Sequence, residues 1–374
     1  MIPLLEISSS DRILIFAPHP DDESLGAGGL IQHAVQSDAS VRVVFVTNGD
    51  RNPWPQRVKE RRWSIGPAEQ ARWGARRQRE AIVAMARLGL PEESAGFFNW
   101  PDQGVTSFLL QADEEALGKI TAEIEAFQPT LLVLPSPEDT HPDHSAFYVM
   151  TRLAMSRLSE RGWQCPQLTF VIHAPSYPVT GHKMAVALNA REVQVKRDAI
   201  QCHETQMLSR RRFLAHAKPL ERFRLPVTPG VESATHPIRS ASFSDGGLRL
   251  RVELPALRAI GDPKLHIALE SLTEGSVRWT LALPHFSGRV RLRCARTGKL
   301  GRYASVRMKG RMAEISIPVW SVQPVNRAYV KLDCRPLFFD VAGWHETPVV
   351  EATAPNPAFA PGAFAAISSL HVLP

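Results

Sequence analysis

The stretch that decides the fold is residues 13–30, ILIFAPHPDDESLGAGGL. Its first five residues are all apolar, which is typical of a strand in a parallel sheet that is covered on both faces. Pro18 and Pro20 end this run, because proline cannot continue a strand ladder. From Glu23 onwards the apolar residues have helical spacing. The stretch therefore predicts a buried strand, a turn and a helix.

The turn between this strand and this helix carries His19, Asp21 and Asp22. In open α/β sheets, functional side chains collect just beyond the carboxyl ends of the strands. Two adjacent carboxylates beside an imidazole would repel each other and lose hydration unless a cation lay among them. We therefore expect a metal ion at this turn.

Composition indicates an ordinary soluble globular protein, with 374 residues of which 44% are hydrophobic and 22% charged. No apolar run approaches the ~18 residues of a membrane helix, and the N-terminus has no basic leader, so we expect no signal peptide. The four cysteines form no CxxC pair, which argues against a cysteine zinc site and favours reduced thiols. We expect a cytoplasmic protein, with a peripheral place at a membrane left open.

The net charge of +7 has one source, because residues 51–79 hold nine Arg and Lys against two Glu. This basic cluster also contains Trp54, Trp63 and Trp73, and we expect it to lie in a long loop. One interpretation is an anionic partner near this loop, and the other is a solvated helix face without a partner. A lid over the site is a third possibility for the tryptophans.

Strands and helices alternate through about residue 206, which predicts a mostly parallel sheet with helices on both faces. The predicted strands lie near 13–17, 41–47, 97–100, 131–134 and 168–173, and the predicted helices near 24–37, 74–89, 112–127, 145–160 and 190–206.

Beyond residue 207 the pattern changes. We expect a first domain over 1–210, a proline-containing linker over 211–239 and a smaller all-β domain over 240–350. Short alternating strands separated by Gly, Pro and Asp suggest an antiparallel sandwich for the latter. The Ala/Pro-rich tail, 351–374, is expected to be disordered or an extended strap.

The tripeptide His-Pro-Asp occurs twice, first at His19 and again at His141, each time between a strand and a helix. A third histidine, His144, follows the second copy. Catalytic zinc takes three protein N/O ligands and keeps one position for water. Two such loops indicate one shared site, in which His19 and Asp22 are joined by a histidine of the second loop.

The pair HPDDE…HPDH resembles the LmbE/PIG-L family of zinc-dependent N-acetylglucosaminyl deacetylases, which have a Rossmann-like fold. The resemblance covers about residues 10–210. Further matching segments are 47–50, 77–89, 101–102 and 196–206.

The resemblance implies roles for both loops. The implied metal ligands are His19, Asp22 and His144. Asp21 is implied as the general base. His141 is implied to polarise the developing oxyanion and protonate the leaving amine. Asp143 would orient His141, raise its pKa and keep it cationic.

Three further residues are expected to bind substrate, each with an alternative. Arg77 would contact a phosphate or a sugar hydroxyl, or else pair with Glu80. Asp102 would bind sugar hydroxyls or be an ordinary turn aspartate. His203 would line the pocket or be a buried core histidine. Asp139 stands where some family members carry a tyrosine, and we expect a surface loop residue there.

The predicted function is a metal-dependent de-N-acetylase acting on an N-acetylated amino sugar of the GlcNAc type. We expect zinc, with another divalent metal open, and an anionic conjugate, lipid-linked at a membrane surface in one version. No nucleic-acid partner is expected, and the sequence does not predict an oligomeric state. The alternatives are a metal amidase acting on an uncharged acylated glycoside or thiol conjugate, and a non-catalytic sugar-binding protein with a structural metal.

Overall fold

Strand β1 (Arg12–Ala17) lies in the interior of the first sheet. It pairs in parallel with β2 (Ser40–Thr47) on one side and with β4 (Leu131–Pro135) on the other. All five residues from 13 to 17 are fully buried. The continuous apolar run thus forms the strand that was predicted from it.

The computed structural model describes nine stretches of the chain. They are 2–179, 181–226, 233, 235–244, 247–255, 263–271, 275–318, 325–334 and 338–349. The predicted tail, 351–374, lies outside the described residues.

The first sheet has seven strands in the order β3-β2-β1-β4-β5-β7-β6. The remaining strands are β3 (Ala95–Trp100), β5 (Gln167–Phe170), β6 (Lys183–Ala187) and β7 (Leu220–Arg224). The first five strands are parallel, whereas β7 is antiparallel to both neighbours. Strands β2 and β3 lie on one side of β1 in the sheet, and the next two strands along the chain, β4 and β5, lie on the other side. Loops after β1 and β4 therefore flank the topological switch point, where open α/β sheets bind ligands.

Helices cover both faces of this sheet, as predicted for an α/β protein. Alternate residues of β1 enter two separate cores: Ile13 and Ile15 pack on one face, and Leu14 and Phe16 on the other. The first core is covered by α1 (Asp22–Gln36), α3 (Pro67–Arg87) and α7 (Ala190–Cys202). The second is covered by α4 (Val105–Gln111), α5 (Glu114–Phe127) and α6 (Pro142–Ser159).

The segment after β2 differs from the expected long loop. It contains α2 (Pro53–Glu60), and α3 begins at Pro67 rather than near 74. Proline suits the first turn of a helix, and the Glu69 carboxylate accepts from the backbone N–H of Gly66 at 3.1 Å. Residues 67–73 of α3 contain only one large apolar residue, Trp73. This part of the helix therefore lacks the apolar periodicity from which a helix is predicted.

The helix predicted near 112–127 is α5, and a short helix that was not predicted, α4, precedes it. Asp113 caps α5 by accepting from the N–H of Ala116. Another predicted helix differs in its bounds. The helix expected over 190–206 ends at Cys202, and a 3₁₀ turn follows over Glu204–Ser209. A second 3₁₀ turn spans Glu92–Ser94.

The expected linker, 211–239, contains regular structure of the first unit. Helix α8 (Arg210–Leu214) begins it, and β7 pairs with β5 and β6 in the first sheet. The first sheet therefore extends to Arg224. Among the described residues, none of the helices has the length and apolar character that crossing a bilayer requires.

The C-terminal part is antiparallel β structure, as predicted. Its strands are β8 (Ile238–Ser244), β9 (Gly247–Glu253), β10 (Lys264–Ser271), β11 (Gly275–Ala282), β12 (Gly288–Cys294), β13 (Leu300–Lys309), β14 (Met312–Pro318), β15 (Val325–Asp333) and β16 (His345–Thr347). They form one sheet in the order β16-β15-β10-β11-β12-β13-β14-β9-β8, rather than two packed sheets. A bridge from Phe243 to Val349 brings the two ends of this sheet together. Alternating strands fit both arrangements, so the sequence could not separate them.

Candidate metal centre

The two His-Pro-Asp loops meet at the switch point between β1 and β4. The first leads directly into α1, which begins at Asp22, and the second into α6, which begins at Pro142. Proline is favoured at the first helical position, because its missing N–H would be unpaired there anyway. His141 is the N-cap of α6. Each motif therefore turns the chain sharply from a strand end into a helix while presenting its histidine and aspartate at the sheet edge.

Three side-chain atoms from these loops form a nearly equilateral triangle. Nδ1 of His19 lies 3.2 Å from Oδ2 of Asp22 and 3.2 Å from Nε2 of His144. The remaining edge, from Nε2 of His144 to Oδ2 of Asp22, is 3.1 Å. Ligand atoms bound to zinc at tetrahedral angles lie about 3.3 Å apart. The triangle therefore fits a divalent ion, and the structure brings together the three expected ligands.

Carboxylates on the far side of both imidazoles fix their orientation. Nε2 of His19 lies 3.3 Å from Asp102 and 3.5 Å from Asp143, and Nδ1 of His144 lies 3.3 Å from Asp139. Such partners hold the other ring nitrogen toward a metal and increase its basicity. Burial lowers the pKa of His144, but Asp22 and Asp139 together raise it to about 9. The donor set is that of a metal site.

Asp102 and Asp139 therefore differ from their expected roles. Asp102 is buried and accepts from the backbone N–H of Arg51 at 2.9 Å, so it stands behind His19 rather than among sugar hydroxyls. Asp139 is fully buried, not a surface loop residue. Its carboxylate accepts from the backbone N–H groups of His141 and Ile172, both at 2.9 Å. Both aspartates hold a predicted ligand from behind.

Asp21 lies between two ligands in sequence and has an unusual backbone, with φ at 145°. A non-glycine residue at positive φ is strained, and such strain persists where surrounding contacts enforce it. Burial raises the pKa of Asp21 to about 6, even though the nearby guanidinium of Arg77 lowers it. A carboxylate with this pKa is ionised at neutral pH and can still accept a proton, as the implied role requires.

Arg77 does not form the ion pair with Glu80 that was the alternative to a substrate contact. Its guanidinium is buried and donates to Oδ2 of Asp21 at 3.0 Å and to the backbone oxygens of Gly49 and Pro20, both at 2.7 Å. The ion pair with Glu80 is made by Arg76 instead. The guanidinium of Arg77 is therefore occupied by Asp21 and by two backbone oxygens of the protein itself.

His203 is a buried partner of α1, in agreement with the alternative of a buried core histidine. Its Nε2 lies 2.9 Å from Oε1 of Glu23, and Oε2 of Glu23 accepts from the backbone N–H of Asp21 at 3.0 Å. The pair thus reaches the strained backbone at Asp21. The segment after α7 therefore contacts the site from the protein interior, through Glu23.

The second loop also corrects one expectation. The carboxylate of Asp143 accepts from the backbone N–H groups of Gln103 at 2.6 Å and Val105 at 3.2 Å, and does not bond the ring of His141. Nδ1 of His141 instead accepts from the backbone N–H of Asp143 at 3.2 Å. Burial, and then the charges of His19 and His144, lower the pKa of His141 well below its ordinary value, whereas we expected a raised one. A neutral His141 that accepts at Nδ1 carries its proton on Nε2.

Two members of the basic cluster of residues 51–79 form ion pairs within it, Arg62 with Glu69 and Arg72 with Glu60. The cluster therefore keeps an excess of positive charge on α2, α3 and the segments beside them. Trp73 is buried, whereas Trp54 and Trp63 are 62% and 80% exposed.

Fold and site together define an α/β protein with a buried cluster of two histidines and one aspartate that could hold a divalent ion. A model of the family described as PIG-L, GlcNAc-PI de-N-acetylase, matches residues 14–155. Residues 14–155 are therefore similar to the PIG-L family, the resemblance that the two histidine motifs indicated.

Named relatives support this assignment. A 1D-myo-inositol 2-acetamido-2-deoxy-alpha-D-glucopyranoside deacetylase of Mycolicibacterium smegmatis is 31% identical over 185 residues, which are 46% of this chain and 63% of the relative. The protein of that name from Mycobacterium avium is 33% identical over 151 residues, or 37% and 49% of the two chains. The chain thus spans less than two thirds of the length of these relatives.

Solved structures are more distant. The conserved protein TT1542 from Thermus thermophilus has a TM-score of 0.45 at 20% identity, over 58% of this chain and 95% of that one. An N,N'-diacetylchitobiose deacetylase from Pyrococcus horikoshii has a TM-score of 0.44 at 19% identity, over 58% and 84%. Likenesses of this size support no statement about activity.

Proposed function

We propose that this protein is a metal-dependent de-N-acetylase that hydrolyses the N-acetyl group of an N-acetylated amino sugar in a glycoconjugate. The observation that carries the proposal is the triangle of His19, Asp22 and His144, with edges of 3.1–3.2 Å and with Asp21 beside it. A structural metal site would have no need of a buried, strained carboxylate with a pKa of about 6 next to its ligands.

When bound, a divalent ion supplies a Lewis acid for the amide carbonyl and lowers the pKa of a coordinated water to about 7. Asp21 takes the proton of the attacking water, with Arg77 fixing its carboxylate. The N–H at Nε2 of His141 would donate a hydrogen bond to the carbonyl oxygen as negative charge develops, and the proton taken up by Asp21 would pass to the leaving amine. Asp143 holds the loop after β3 against this centre and presents its own backbone N–H to Nδ1 of His141.

The substrate class comes from the relatives. The names of the first relatives describe deacetylases of a 2-acetamido-2-deoxy-glucopyranoside, which is an N-acetylated amino sugar of the GlcNAc type. Because this chain matches only part of their length, the sugar is part of the proposal. Zinc is the proposed metal, since two imidazoles and one carboxylate at these separations suit tetrahedral zinc. An anionic conjugate and a cytoplasmic location complete the proposal.

Acetate release from N-acetylglucosaminides tests this function. The full chain, loaded with zinc, should release acetate from at least one member of a panel that carries uncharged and phosphorylated aglycones. A chelator should abolish release, and added zinc should restore it. Release that persists after complete removal of metal would contradict the metal-dependent mechanism, and metal-loaded protein inactive on the whole panel would contradict the substrate class.

A further inference from the structure

The β-rich unit reaches the metal centre through one segment, residues 338–344. The backbone N–H of Asp340 donates to the carbonyl of Thr140 at 2.8 Å, and that of Trp344 donates to the carbonyl of Pro137 at 2.8 Å. Both acceptors belong to the loop that carries His141. An ion pair between Lys331 and Asp340, both buried, ties this segment to β15. The segment is therefore fixed on the second histidine loop by its backbone.

This close docking places two aromatic rings at the catalytic histidine. The ring centroid of Phe338 lies 4.9 Å from that of His141, and Phe339 lies 4.9 Å from His173. Both phenylalanines are about two fifths exposed, with values of 43% and 38%. Gly343 permits the approach, because a Cβ there would lie 1.8 Å from the carbonyl oxygen of Pro137. The segment thus forms a partly open aromatic wall beside the centre.

An open cleft of about 380 Å³ lies between this wall and the first unit. Its lining includes Thr140, His173, Ser176, Arg212 and Phe339. The ring of His173 lies 5.3 Å from that of His144 and 5.4 Å from that of His141. His173 therefore lies between the cleft and two residues of the site: His144 of the metal triangle and His141, the proposed donor to the substrate.

Arg212 is held in this cleft by two contacts. Its Nη2 lies 2.6 Å from Nδ1 of His173, and its guanidinium carbon lies 5.7 Å from the ring centroid of Phe339. Because a guanidinium has only donors, Nδ1 of His173 is the acceptor in this contact. Arg212 has no carboxylate partner among the residues that the structure describes. Arg212 is exposed at the cleft, and a guanidinium with N–H groups left over is a group that proteins use to bind phosphate.

We propose that Arg212, together with the aromatic wall of the β-rich unit, forms a subsite for a phosphate group attached to the amino sugar. This inference rests on the proposed function for the identity of the sugar. The basic residues of 51–79 have no part in it, and neither Arg212 nor the aromatic wall belongs to the segment that matches the family. The β-rich unit thereby becomes a determinant of which conjugate is bound.

Binding of two amine products tests the subsite without any need for turnover. Glucosamine 1-phosphate and methyl α-glucosaminide share the sugar and differ in the charged group, and calorimetry on the zinc-loaded full chain gives both dissociation constants. We expect the phosphate to bind about tenfold more tightly to the wild type, as a charge-assisted pair allows. Arg212→Gln should bring the ratio of the two constants to within about twofold of unity, through loss of the same pair.

Arg211→Gln is the matched control, because Arg211 is exposed on the same short helix and its removal changes the net charge equally. This variant should keep the wild-type ratio. An equal ratio in wild type and Arg212→Gln, or an equal loss in both variants, would overturn the subsite. Should Arg212→Gln fail to fold, Arg212→Lys keeps the charge without the planar fork, and an unchanged ratio there would overturn it too. Failure of acetate release together with an Arg212-dependent ratio would contradict the proposed function alone.

Discussion

Nε2 of His144 lies 3.2 Å from Nδ1 of His19, although 125 residues separate them in the chain. The distance follows from the topology, because β1 and β4 are adjacent parallel strands whose carboxyl ends lie at the same edge of the sheet. Asp22 closes the triangle from the first turn of α1. The position of the candidate metal centre therefore follows from the order of the strands. The role of each side chain in it can be tested by a separate substitution.

The carboxylates behind the ligands should control metal affinity. Asp102→Asn and Asp139→Asn each keep the size of the side chain but remove the charge that orients His19 or His144. We expect zinc affinity to fall by about 10- to 100-fold in each variant, measured by competition with a chromophoric chelator. Asp113→Asn serves as the control, because Asp113 caps α5 away from the site and asparagine caps equally well. Wild-type affinity in both site variants would refute the supporting role.

Asp21 should matter for turnover and not for metal binding. Asp21→Asn removes the proton acceptor while leaving the three ligands, so acetate release should fall by about 10² to 10⁴. Bound zinc, measured by elemental analysis, should stay at the wild-type level. Asp38→Asn is the control, since Asp38 lies in a turn at φ 55° that asparagine tolerates. A variant at Asp21 with full activity would remove this residue from the mechanism.

The pair of Glu23 and His203 should position Asp21 through its backbone. His203→Ala leaves the buried Glu23 carboxylate without its imidazole partner, which frees it from the N–H of Asp21. We expect kcat to fall by about 10- to 100-fold from the resulting misplacement, with KM and zinc content nearly constant. A loss of stability with no change in kcat would show that the pair is only structural.

Acid should destabilise the β-rich unit through His236. Burial, and then the neighbouring His345, lower the pKa of His236 to about 3. An unfolded chain binds a proton at His236 near pH 6.5, so the stability it contributes is complete above that pH and is lost as the pH falls toward 3. The loss approaches about 1.4 kcal/mol per pH unit between these limits.

His236→Asn tests this assignment. An asparagine carbonyl can replace Nδ1 of His236 as acceptor for the N–H of Ile238, which is now bonded at 3.0 Å. The variant should therefore keep the fold and show a smaller slope of unfolding free energy against pH between pH 6.5 and 4.5, measured by urea titration. An identical slope in both proteins would contradict the assignment.

Sequence alone could predict the strand that precedes His19, the parallel sheet and the meeting of His19, Asp22 and His144, because each depends on a local pattern or a motif. The support for these side chains was not predicted from the sequence, since Asp102 reaches His19 from the loop after β3, and Asp139 reaches His144 from its own loop through a turn of the backbone. A signal was present: both residues follow directly on strands of the same sheet edge, where His19 and His144 were already expected. Applying the switch-point rule to every strand end would have placed all four together.

Other features depend on long-range packing and left no local signal. The contact of Arg77 with Asp21 depends on how α3 packs against the loop after β1. The sequence pattern of a helix shows only which of its own residues are neighbours on the helix surface, so it could not predict this contact. Phe338 reaches His141 because the β-rich unit docks on the second loop. Alternating strands predict antiparallel pairing but contain no information on strand order, so one closed sheet and two packed sheets look alike.

The most direct test of the central claim is the zinc content of the purified protein alongside its acetate release. The account predicts about one zinc per chain in the wild type, loss of zinc and activity in His19→Ala and His144→Ala, and retention of both in Asp113→Asn. Activity of the chelated wild type should return with added zinc in proportion to the ion bound. Wild-type zinc content in His144→Ala, or acetate release at the full rate without metal, would contradict it.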